Sequence, residues 1–246
     1  MSENKITLKT AEGNCDCYTY TGPGDAPAPA IIFYMDGLGI RPELRAMAQR
    51  LASNGYFVLL PNLYYRAGDY PPFDMATMMT DESQRNRMMS LVQSVTNGRI
   101  MSDTTAFLDF LSHEPKVKGT KLGCVGYCMG GPLVLSAAGT FPDRVAAGAS
   151  IHGANLANDR PDSPHLLAPK MRGKIYLGVA EIDPWLTPGE TDRITAALQA
   201  AGTRHTVEIY PGVQHGFASN GTPMYDRDAA ERHWERILAL FRETLS

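Results

Sequence analysis

The chain has 246 residues, of which 43% are hydrophobic and 20% charged, with a formal net charge of -3. That length suits a single domain spanning 1–246 with a full core, and the slight negative charge offers no electrostatic pull on nucleic acid, so small-molecule ligands are expected. The opening MSENKITLKT has neither the basic start nor the apolar run of a signal peptide, and no stretch approaches the roughly 18 apolar residues of a membrane span, so a cytoplasmic protein with no membrane partner is expected.

Two short segments, Ile6 to Lys9 and Cys15 to Tyr20, flank the turn-forming Glu12-Gly13-Asn14 and read as a β-hairpin. Cys15 and Cys17 would face one side of its second strand as packing residues. With Cys124 and Cys128 they are too few and too unevenly spread for a disulfide framework, so reduced thiols are expected. A Pro/Gly/Ala linker over 22–29 ends the hairpin. From Ala30 onward, continuously apolar runs alternate with helical periodicity, the signature of buried parallel strands covered by helices.

The expected strands are AIIFYM (30–35), FVLLP (57–61), KLGCV (121–125), VAAGAS (145–150), IYLGVA (175–180) and TVEIY (206–210). Helices are predicted over 42–53, 81–95, 101–112, 129–140, 189–201 and 226–244. The architecture predicted from this alternation is α/β: a doubly wound, mostly parallel sheet with antiparallel N-terminal edge strands. The long connections over 62–80 and 152–172 follow strands, which places them at the end of the sheet where open α/β folds bind ligands.

The most specific local signal is Gly126-Tyr127-Cys128-Met129-Gly130-Gly131, directly after KLGCV and directly before a helical run. G-x-C-x-G in that context is a nucleophile elbow with sulfur in place of oxygen. Small flanking residues let the backbones of a sharp strand-to-helix turn approach closely, and the turn presents the nucleophile at a helix N-terminus. There the helix dipole and the Met129 N–H favour a thiolate and an anionic intermediate. Hydrolases with this elbow carry their partners in the order nucleophile, acid, histidine. Asp183 follows IYLGVA and His215 follows TVEIY, which meets that order. Glu181 and Asp192 are alternative acids. Of the other histidines, His113, His165, His205 and His233 fall on predicted helix surfaces or polar loops, and His152 at a strand end is a possible pocket lining.

Through GYCMGG, the strand-end Asp183 in AEIDPW and PGVQHGF, the sequence resembles the dienelactone hydrolase family from about Ala30 to the last helix. The resemblance implies an α/β-hydrolase fold, a Cys128-Asp183-His215 triad, no metal or cofactor, and hydrolysis of dienelactone or, as in many relatives, of other esters. It also implies Gly37 as the second oxyanion N–H and Arg85 as a partner for a substrate carboxylate. Asp36 stands where the family commonly has a Glu near the nucleophile, and Gly216 replaces a Ser that helps hold the substrate carboxylate.

The expected function is cleavage of a small ester or lactone through a thioester on Cys128, with the protein a monomer or small homo-oligomer. Three other readings fit the same residues: a general carboxylesterase on the same triad, an activated phosphoester hydrolase on the same triad, and a non-catalytic protein of this fold that binds a metabolite or senses oxidants at Cys128.

Overall fold

The computed structural model describes residues 2–78 and 80–245. A hairpin opens the chain, with β1 (Ser2–Thr10) and β2 (Gly13–Thr21) paired antiparallel from Ser2↔Thr21 to Thr10↔Gly13. β3 (Ala28–Tyr34), β4 (Phe57–Pro61), β5 (Val117–Tyr127), β6 (Val145–Ile151), β7 (Lys174–Ile182) and β8 (His205–Gln214) follow. Together they form one eight-stranded sheet in the order β1-β2-β4-β3-β5-β6-β7-β8, parallel from β4 to β8. The central stretches of β3 through β7 are buried because helices lie on both faces, which is why those stretches read as unbroken apolar runs.

Among the described residues the α-helices are α1 (Pro42–Ser53), α2 (Glu82–Ser94), α3 (Asn97–His113), α4 (Gly130–Thr140), α5 (Glu190–Ala200) and α6 (Arg227–Thr244). Two glycines show how two of these helices divide between the faces of the sheet. Gly123 and Gly148 occupy opposite faces in the β5–β6 register; a side chain on the first would run into Phe241 of α6, and on the second into Val134 of α4. α1 buries Leu44, Met47, Ala48 and Leu51, a helical stripe, and its neighbour α6 is tied to it by the Arg50–Glu231 ion pair. α4 buries Leu133, Val134, Leu135, Ala137 and Ala138 and so is apolar all round, as a central helix must be. α2 differs: Leu91 is its one fully buried side chain among the described residues.

Strand and helix identities match the sequence expectation, while several bounds move. The hairpin strands are longer on both sides, because the polar residues of β1 and β2 pair with each other at the sheet edge. β5 begins at Val117, since Ala28↔Val117 pairing extends it through the polar KGTK that masks it in the sequence. α3 starts four residues earlier than predicted, behind the Thr96 cap whose side chain accepts from the Arg99 N–H. Short 3-10 turns occupy Tyr65–Ala67 and Pro164–Lys170 inside the two long connections. The placement of His233 on a helix surface is wrong: it sits on the inner face of α6, fully buried, with Nε2 3.1 Å from the Tyr127 hydroxyl. No helix among the described residues is long and apolar enough to cross a membrane.

Candidate active site

Cys128 stands between the last residue of β5 and the first turn of α4 with φ +53, a left-handed conformation that a non-glycine residue adopts only under constraint. Its N–H bonds the Ile151 carbonyl at 3.1 Å and its carbonyl accepts from Gly131 N–H at 2.9 Å, which locks the turn. The glycine requirement is steric. A Cβ on Gly126 would strike the Gly130 carbonyl oxygen, and one on Gly130 would strike that of Tyr34. Among the described residues neither the Met129 nor the Gly37 N–H bonds a protein acceptor, so both amides remain available at the rim of the elbow.

The structure brings Asp183 and His215 together beside this turn. β7 ends at Ile182 and β8 at Gln214, and Ile182 pairs with Gln214, so the two residues that follow are neighbours. His215 Nδ1–H donates to Asp183 Oδ2 at 2.7 Å, while Asp183 Oδ1 accepts from the Trp185 N–H at 2.9 Å. Burial by itself would lower the His215 pKa, but the hydrogen bond to Asp183 and the nearby Cys128 sulfur outweigh it and hold the imidazole up at about 10. Its Nε2 is buried without a hydrogen-bond partner among the described residues, leaving that nitrogen for the sulfur or a reacting group. Glu181 turns away to accept from the Gly212 N–H at 2.7 Å and Asp192 is exposed on α5, so neither alternative acid meets the histidine.

Asp36 is buried and committed to Arg41. The two form a bidentate pair at 2.7 and 2.8 Å, Leu38 N–H donates to Asp36 at 3.0 Å, and Arg41 continues to the Ser219 hydroxyl at 2.7 Å. Burial opposes the guanidinium charge, and Asp36 more than compensates. The pair therefore clamps the loop after β3 to the loop after His215. Arg41 and Ser219 carry no motif that distinguishes them in sequence, and long-range pairing alone reveals them. Tyr64 is equally silent in sequence: its buried hydroxyl donates to the Gly37 carbonyl at 2.9 Å and lies 3.4 Å from Met129 Sδ, joining the two segments that carry the free amides.

Arg85 lies in the first turn of α2, partly buried; the far end of the same helix reaches Gly37, where a Cβ would come within 3.1 Å of Val92. Gly216 has φ +93, which favours glycine, while a Cβ there would reach the Met224 methyl only at an ordinary contact distance of 3.4 Å. His152 follows β6 with φ +38, beside Cys128 on the neighbouring strand. Its ring is buried 4.9 Å from that of His215, and burial together with the His215 charge keeps it far below the ordinary histidine range.

The strand order, the elbow between β5 and α4, and an acid and a histidine after β7 and β8 define an α/β-hydrolase. The match to a family model narrows the class: residues 16–245 fit the dienelactone hydrolase family, and the chain belongs to it. A relative from Synechocystis named "Putative carboxymethylenebutenolidase" is 28% identical over 221 residues, covering 88% of this chain and 87% of its own. Another from Bradyrhizobium, named "Probable 2-oxo-3-(5-oxofuran-2-ylidene)propanoate lactonase", is 24% identical over 87% of this chain and 83% of its own. Among solved structures, the dienelactone hydrolase from Anabaena variabilis superposes with a TM-score of 0.67 at 20% identity, covering 100% of this chain and 99% of its own.

Proposed function

We propose that this chain hydrolyses a small ester or lactone through a thioester on Cys128, with His215 as acid and base and Asp183 as its orienting partner. The observation that carries the reading is His215 itself. One ring nitrogen is held at 2.7 Å by a buried carboxylate, and the other, Nε2, is buried with no hydrogen-bond partner among the described residues. A free thiol is only a few per cent ionised at neutral pH, so transfer of its proton to His215 supplies the thiolate.

The thiolate attacks the carbonyl carbon, and the oxygen takes up the negative charge, facing the Met129 and Gly37 N–H groups. As the tetrahedral intermediate collapses, the C–O bond breaks and the leaving oxygen takes the proton from His215 Nε2. Water then attacks the thioester, gives its proton to the same nitrogen, and releases the carboxylic acid as the C–S bond breaks. Tyr64 and the Asp36–Arg41 pair hold the donor segments in register and touch no reacting atom.

Rapid mixing with p-nitrophenyl acetate tests the reading. Expected are a burst of one nitrophenolate per chain, an acetyl group on the peptide containing Cys128, and loss of both in Cys128→Ala. Unchanged turnover in that variant would overturn the assignment.

A further inference from the structure

Among the described residues, four large apolar side chains are substantially exposed, and two of them, Ile182 at 53% and Trp185 at 48%, flank Asp183, whose own side chain is 1% exposed. A single exposed tryptophan is ordinary on a protein surface. This one is distinguished by its place: the indole lies edge-on to the His215 ring, centroids 6.4 Å apart, with half its surface left open. The chain charges around it are already satisfied. Glu181 accepts from the Gly212 N–H, Glu190 holds Thr187 and the Leu156 N–H, and Arg193 donates to Ala157, Pro188 and Thr187. Beside the imidazole, the exposed part of the Trp185 ring is an apolar surface, and the Met224 methyl lies 3.4 Å from where a side chain on Gly216 would begin.

Resting on the ester-hydrolase reading above, we propose that Trp185, with Ile182, is the leaving-group subsite, and that it selects esters whose alcohol portion is aryl or bulky and apolar. The mechanism supplies the reason. The departing oxygen must come within hydrogen-bond reach of His215 to receive its proton, so the carbons attached to that oxygen lie near the imidazole and next to the indole. A flat, uncharged group there covers the open part of the Trp185 ring and removes its apolar surface from water, whereas a small or hydrated alcohol does not. Acyl-group selection would fall to the other loops, because the carbonyl carbon is held at the elbow.

Phenyl acetate and trifluoroethyl acetate give the same acetyl-enzyme from different leaving groups, which isolates the subsite. Trp185→Ala is expected to lower kcat/KM for phenyl acetate by about three- to tenfold relative to trifluoroethyl acetate, the range that an aromatic contact supplies. Trp185→Phe should recover most of that selectivity. Decay of the acetyl-enzyme, from which the phenol has departed, is expected to keep its rate in both variants. If both substrates and the decay step fall together, Trp185 only positions His215 and the subsite is wrong; if the substrate ratio is unchanged, it is wrong as well. Absence of any acetyl-enzyme in the unsubstituted protein would instead remove the ester-hydrolase reading, and the subsite with it.

Discussion

At His215, burial and bonding act in opposite directions, and the contacts to Asp183 and Cys128 win, holding its proton up to about pH 10. The sign for catalysis follows directly. Below that pH the ring carries the proton it hands to the leaving oxygen, and above it the ring does not. Acylation by esters with poor leaving groups is therefore expected to fall as pH rises through about 10. Asp183→Asn removes the first of the contacts that raise the pKa, so the falling limb should move to lower pH and the rate should drop by up to about 10⁴-fold, the loss known for a wrongly oriented triad histidine. A pH profile of kcat/KM for an alkyl ester on both proteins checks this. A limb that stays in place would show that Asp183 does not set the titration.

The helices and strands reach the site through a few buried polar joints. The 3-10 turn after β4 carries Tyr65 and Arg66, and both meet Asp103 on the inner face of α3. Asp103 is fully buried, accepts from the Tyr65 hydroxyl at 2.9 Å, and takes both terminal nitrogens of Arg66 at 2.8 Å. Tyr65 in turn contacts the Thr10 hydroxyl at 2.7 Å, so the joint ties the N-terminal hairpin to α3. Removing Asp103 strips the Tyr65 hydroxyl and both terminal nitrogens of Arg66 of this buried partner and leaves Arg66 only its ion pair with the exposed Glu12. Asp103→Ala is accordingly expected to destabilise the fold by about 3 kcal/mol, read as a lower urea midpoint. The joint lies outside the triad, so the folded variant should keep its esterase turnover. Little of this was legible beforehand: Asp103 reads as one polar residue on an amphipathic helix, and its partner lies 37 positions away.

For the molecule as a whole, the buried histidines behind the site make acid the weak side of its stability. His233 is fully enclosed, and burial lowers its pKa to about 3, while His152 is shifted in the same direction. Their folded values lie below the ordinary value near 6.5, so the unfolded chain binds more protons between the two, and stability falls as pH drops through that interval. His233 alone is expected to cost on the order of 2 to 3 kcal/mol between pH 7 and pH 4.5. His233→Gln, which keeps a hydrogen-bonding group near Tyr127, should be less stable at pH 7 but lose less on acidification. Urea midpoints at the two pH values measure the difference, and equal losses in both proteins would place the acid sensitivity elsewhere.

Local chemistry determined much of this protein before any tertiary contact was known. Apolar runs must be buried strands, the spacing of apolar residues in α1 and α6 makes one helical face, and the Gly126 and Gly130 pattern around Cys128 has a steric reason that is local to the turn. The positions of Asp183 and His215 at strand ends were legible for the same reason, since strand termini are readable from pattern. Whether the two residues meet depends on β7 and β8 being neighbours in the sheet, which no local signal encodes. The same limit explains Arg41, Ser219 and Tyr64, whose partners lie across loops far apart in the chain, and His233, placed on a surface because a lone polar residue gives no sign of which face of its helix is turned inward. Trp185 meets the same limit. Its place after the strand IYLGVA is legible in the sequence, but only the fold sets its half-exposed ring 6.4 Å from the imidazole.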